Sequence, residues 1–229
     1  MTLGELAVAC YIYKIVSKDD YSYEQFRQST EDSPDLCKQE HRNALLEFLN
    51  KYGCRHITKD SHEKIASKKI VDWYKEYYGK LPQKRERLWD LEDEKLKSFD
   101  EIHINLSKLV VACRRDETNV QMGLVGAAKM LFAIRPNVFP PWDNAIREEL
   151  KDSYSVKSYA DYLQYVKKVI LNLEEICNIH NINIDNLPQN LDRPKSTVAK
   201  LIDEYLWVTI TKGFKVKEIL RRWDKWTKS

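Results

Sequence analysis

Glycine and proline are scarce, at six and seven of 229 residues. That scarcity excludes collagen-like sequence and argues against a disordered chain. The five cysteines (Cys10, Cys37, Cys54, Cys113 and Cys177) are odd in number, widely spread and form no CxxC pair. A disulfide framework and a zinc ribbon are therefore not expected, and the thiols read as reduced. His41, His56, His62, His103 and His180 show no ligand spacing, so neither a metal nor any other cofactor is predicted. No apolar run approaches the ~18 residues that a membrane span requires. The opening MTLGELAVACYIYKIV has no basic start and carries Glu5 early, so it reads as an amphipathic helix rather than a leader. A cytoplasmic protein without a membrane partner is the expectation. Excess charge is also lacking: a net +3 permits an anionic partner without demanding one. Basic residues gather at Lys84, Arg85 and Arg87 and from Lys212 through Arg222, where solvated helix ends explain them as well as anion contacts do.

Alternating strand-like runs are nearly absent, and apolar residues recur at helical spacing almost throughout. The chain therefore reads as all-α. Helices are predicted at about 3–16, 34–51, 61–78, 88–99, 101–113, 121–134, 144–150 and 158–178. The second stops at Gly53 in a left-handed cap. The aromatic residues of 61–78 read as core and rim packing rather than a base-stacking platform. The polar turn RRDETN follows residue 113. The loop NINIDNLPQNLDRP is rich enough in Ile and Leu to pack on the body, and the segments KSTVAKLIDEYLWVTIT and VKEILRRWDKW form two further helices. No internal repeat or low-complexity tract is seen. At this length one all-α unit over 1–229 is expected, the alternative being two helical halves, about 1–115 and 116–229, with a cleft between them.

One stretch stands apart: GLVGAAKMLFAIRPNVFPPWDNAIREEL, from Gly123 to Leu150. Lys129 has Val125, Gly126, Phe132 and Ala133 as its helical neighbours, so rotation alone does not take it off an apolar face. An unpaired buried ammonium costs several kcal/mol, roughly, so this side chain must snorkel, pair or lose its proton. A desolvated lysine that loses its proton is what an amine nucleophile needs. Asp143 follows Pro140 and Pro141 and precedes a helix, where a capping carboxylate contributes about 1 kcal/mol without any catalytic duty. The same carboxylate, facing a cleft, also suits stabilisation of developing positive charge.

GxxGAAKMLFAIRPNVFPPWD resembles the site of helix-hairpin-helix DNA glycosylases, and is more specifically similar to bacterial proteins with an 8-oxoguanine DNA glycosylase fold. The residues that carry the likeness are Ala128, Lys129, Leu131, Arg135, Pro136, Phe139, Pro140 and Asp143, and LIDEYLWVTIT is similar to the aromatic late helix of those proteins. The likeness covers about a fifth of the chain. It implies an all-α fold with a helix-hairpin-helix-like glycosylase core and duplex DNA as partner. It also implies cleavage of the N-glycosidic bond of a base flipped from the stack, since that bond is unreachable inside a duplex. By motif position Asp143 would stabilise the sugar's positive charge. Lys129 would be the Schiff-base nucleophile of a base excision and strand-cleaving enzyme, and chemistry through Asp143 alone stays open beside it. The glycine pair Gly123 and Gly126 corresponds to the hairpin.

Other candidates follow from the residues themselves. Trp142 either walls a base pocket or fills the core. Arg147 touches phosphate or faces water, and Arg55 with His56 sits just past a helix end where phosphate is readily held. Asp203 or Glu204, in an otherwise apolar helix, is expected to pair with a buried base such as Lys129. The rival to a glycosylase is a helical DNA-binding or interaction module without catalysis. A role in defence against phage DNA is a third reading.

Overall fold

The first helix starts as its sequence dictates: Thr2 accepts from Glu5 N at 3.2 Å while Glu5 accepts from Thr2 N at 2.9 Å. This reciprocal box satisfies two amides that no helical carbonyl reaches. In the computed structural model the backbone is described for residues 1–17, 19–55, 57, 59–113 and 116–227, and side chains for all of these except 19, 59–64 and 224–227. His56 and the first two residues of the RRDETN turn lie outside the described residues, as does the side chain of His62.

Eleven helices occur among the described residues, and the fold is all-helical apart from one small hairpin. They are α1 Leu3–Val16, α2 Asp19–Ser29, α3 Gln39–Lys51, α4 Lys59–Tyr77, α5 Asp93–Ser107 and α6 Gly123–Ile134, then α7 Asn144–Tyr154, α8 Tyr159–Ile179, α9 Leu187–Asn190, α10 Val198–Leu206 and α11 Val216–Thr227. Three expectations need correction. The helix at 88–99 and its neighbour at 101–113 are a 3₁₀ turn, Leu88–Asp90, and a single helix, α5. The residues after α5 instead form a strand, β1 Val110–Cys113, paired antiparallel with β2 Asn119–Gln121. The β-branched Val110 and Val111 favour that conformation, and strands of four and three residues are too short to display an alternation. The sequence reading also omitted α2, whose inward side is aromatic and polar (Ser22, Phe26) rather than aliphatic.

A contiguous core runs from Leu6 to Leu206. At its centre lies α6, with Ala127, Ala128, Met130, Leu131 and Phe132 all buried. Helices α3 and α5 pack on α6, α8 packs on α5, and α1 packs on α10 and α11. The expected cap at Gly53 is present: its φ is +97° and Cys54 N donates to Leu49 O at 2.8 Å. The loop before α10 also packs on the body, burying Ile184 and Leu187. Among the described residues no helix is long and apolar enough to cross a membrane.

The double proline is held from α8. Tyr159 Oη donates to Pro140 O at 2.8 Å and Tyr162 Oη to Pro141 O at 2.9 Å. Three residues apart on one helical face, the two tyrosines reach successive carbonyls of a segment whose prolines offer no N–H for regular pairing.

Candidate functional site

Asp143 is the N-cap of α7, with extended backbone, and its Oδ1 accepts from Ile146 N at 2.8 Å. Its Oδ2 accepts from Thr211 Oγ1, also at 2.8 Å. Thr211 ends a π-helical turn, Trp207–Thr211, that continues α10. Such a turn shifts the side chains that follow it off the α-helical register, and here the last of them points at a carboxylate. The result is a half-buried anion fixed by two donors and, among the described residues, paired with no cation.

Lys129 lies half-buried on the other flank of α6, against the turn that ends α3. Its Nζ donates to Tyr52 O and stands 4.9 Å from the centre of the Tyr52 ring. Gly53 makes room for it: a Cβ there would sit 3.3 Å from Nζ. Gly126, one turn before Lys129, faces the same segment, and a Cβ on it would meet Met122 Sδ at 2.9 Å. Gly123 opens α6 with φ +74° and nothing near it. Arg55 is exposed in the same turn as Gly53.

Lys129 does not pair with Asp203 or Glu204. Those carboxylates have their own cations: Asp203 holds Lys200 Nζ at 2.5 Å, and Glu204 holds Arg193 at 2.7 Å. The geometry of α10 explains the choice, because Lys200 is one turn before Asp203 on the same helix and both are buried. Lys200 Nζ also reaches Tyr13 Oη at 3.1 Å and lies 6.0 Å from the Tyr52 ring that Lys129 faces from elsewhere. Burial pushes the Asp203 carboxyl up to about 6, against the pull of Lys200, with the charges of Asp143 and Glu204 adding to the rise. Burial works to lower the Lys200 ammonium, but Asp203, Tyr13, Tyr52 and Glu204 together outweigh it and hold Lys200 well above its ordinary value.

No protein-family model, curated protein or solved structure matches the chain. The site therefore rests on its geometry and on the motif. Trp142 is 2% exposed and stacks on Tyr162 at 5.4 Å, inside a ring cluster with Tyr159 and His103. Its Nε1 is buried without a partner among the described residues. Nothing in that position offers an open wall. Arg147 pairs with its neighbour Glu148 at 3.0 Å on the outer side of α7. Sequence reasoning missed Lys200, Thr211 and Tyr52. The i, i+3 pair in AKLID was available as a signal for Lys200, whereas a tyrosine carbonyl as lysine partner leaves no trace in a sequence.

Proposed function

We propose that the chain is a DNA glycosylase-like enzyme that cleaves the N-glycosidic bond of a damaged or modified base turned out of duplex DNA. The observation that carries this reading is Asp143, a half-buried carboxylate oriented by Ile146 N and Thr211 Oγ1 and lacking a cationic partner among the described residues. Each oxygen accepts one hydrogen bond and keeps acceptor capacity. A pre-oriented anion of this kind stabilises positive charge that develops on a sugar as the base leaves, without reorganising at the moment of reaction. Lys129 supports the reading as a second charged group near the same motif, held by a carbonyl rather than a carboxylate. In the two-residue version of the chemistry, its amine in the unprotonated form adds to the sugar carbon as the base departs. Repair and defence against modified phage DNA are both consistent with such an activity.

Asp143→Asn tests the proposal cleanly, because asparagine caps a helix about as well as aspartate. The variant is expected to fold and bind DNA but release no base, in an assay of oligonucleotides bearing normal, oxidised, alkylated and glucosylated bases with mass spectrometry of the products. Turnover equal to the unmodified protein would remove the proposal. Borohydride trapping of a covalent adduct, lost in Lys129→Met, assigns the nucleophile; without an adduct Lys129 is structural.

The rival reading is the non-catalytic module, which the mild net charge of +3 also suits. DNA affinity that falls steeply with salt, with no base released from any oligonucleotide, is the outcome that reading predicts.

A further inference from the structure

Arg135 follows α6 and is 5% exposed, yet among the described residues no carboxylate pairs with it. Its Nε donates to Pro82 O at 2.6 Å and its Nη1 to Ile134 O at 2.7 Å. The guanidinium carbon also stands 5.9 Å from the centre of the Tyr78 ring, and of its five N–H donors two have hydrogen-bond acceptors among the described residues. Burying a charge so incompletely satisfied is unfavourable unless something else supplies the opposite charge. Arg135 lines a cavity of about 250 Å³.

The other charges of that wall point the same way. Lys84, Arg27 and Lys195 join Arg135; Arg27 is paired with Asp32, the one carboxylate of the wall, and Lys195 with Glu24 outside it, which leaves Lys84 and Arg135 without a carboxylate among the described residues. Lys84 donates to Ser33 Oγ and has no carboxylate partner among the described residues. The adjoining cavity, about 260 Å³, makes an instructive contrast. It shares Arg27 and Lys195 with the first, and its other cations are paired: Lys14 with Asp192, Arg193 with Asp20 and Lys200 with Asp203. Spare positive charge is concentrated on the Arg135 side.

We infer that this cavity is a binding site for a phosphate-class oxyanion, with Arg135 supplying the fork and Lys84 a point charge at the rim. Planar guanidinium donors match two oxygens of a phosphate, and a dianion answers two unpaired cations where a single carboxylate answers one. The volume lies just under the ~300 Å³ at which small-molecule pockets begin, so the ligand is small. Tyr23 and Phe26 also line the space, so it accepts an apolar body attached to the phosphate. Free phosphate and a nucleoside monophosphate share this chemistry. The site is separate from Asp143 and does not depend on glycosidic cleavage.

Titration calorimetry of the full chain with inorganic phosphate, and in a second arm with a deoxynucleoside 5′-monophosphate, tests the inference at constant ionic strength set with chloride. Saturable binding is expected in at least one arm. Binding by phosphate alone identifies the free anion as ligand, and tighter binding of the monophosphate identifies the ester. Lys84→Glu, an exposed change that does not threaten the fold, is expected to weaken binding about tenfold or more, and Arg135→Met, checked for folding by circular dichroism, to abolish it. No saturable heat in either arm, or an affinity unchanged by Lys84→Glu, overturns the inference.

Discussion

The buried pair Lys200–Asp203 makes a sharp prediction, because its two halves fail in opposite ways. Both side chains are almost wholly sequestered, at 4% and 6% exposure, and their contact is 2.5 Å. Removing one partner of such a pair costs about 3–5 kcal/mol, since the survivor is left as an uncompensated buried charge. Proton exchange caps that cost. In Lys200→Met, Asp203 escapes by taking a proton, which at pH 7 costs at most ~4 kcal/mol relative to an unfolded carboxyl near 3.9, at ~1.4 kcal/mol per pH unit. The penalty therefore shrinks as pH falls from 7 towards 4. In Asp203→Asn, Lys200 escapes by losing a proton, capped at ~5 kcal/mol at pH 7 and shrinking as pH rises. Urea denaturation of both variants and of the double variant at pH 5, 7 and 9 reads these slopes directly. The double variant should lose far less than the two singles together. Single losses under ~1 kcal/mol, or the same pH trend in both, would show that the charges are not buried as a pair.

Two further predictions concern neighbouring positions. His103 is buried against Tyr159, with ring centres 4.3 Å apart, and donates from Nε2 to Leu124 O; burial lowers its pKa to about 4. A base depressed on folding contributes stability that is complete above ~6.5 and is lost as pH falls through the folded value, here up to ~3 kcal/mol. His103→Phe should flatten thermal stability between pH 6.5 and 4, and an unchanged pH profile would refute the assignment. The raised Asp203 carboxyl acts in the reverse sense, its contribution present below ~3.9 and lost as pH rises through about 6, so the two are separated only in the variants. Gly53→Ala forces a Cβ onto φ +97° and within 3.3 Å of Lys129 Nζ. A loss of ~1–2 kcal/mol, seen as a melting point lower by several degrees, is expected.

Much of the fold was legible because it rests on local rules. Helical periodicity placed α1, α6 and α8 nearly to the residue, and the cap residues Gly53 and Asp143 read correctly because their effects are short-range. The aromatic side of α2 and the short strands carry too few residues for a period to emerge. At the site, Asp143 and Lys129 stood out by residue type, but their partners did not. Thr211 lies 68 positions beyond Asp143, and Tyr52 lies 77 before Lys129. Such pairings are set by how helices dock, and one sequence carries no record of them. Asp203 and Glu204 were recognised as buried acids yet matched to the wrong base, because a partner on the same helix, Lys200, and one in the loop that precedes it, Arg193, hold them instead of the conspicuous Lys129.

The tyrosine clamps on the proline turn bear on the order in which the molecule is assembled. As the chain is synthesised, Asp143 emerges well before Tyr159 and Tyr162 can fix the carbonyls of Pro140 and Pro141, and Thr211 follows later still. Capping of α7 is local and forms early, but the second anchor of the carboxylate waits for α10 and its π-helical turn to dock. Contacts of long sequence separation close late. The group at the centre of the proposed chemistry is thus set in its final orientation only when residues far downstream have folded onto it, so a nascent or shortened chain ending before residue 211 would hold an aspartate that caps a helix and does nothing more.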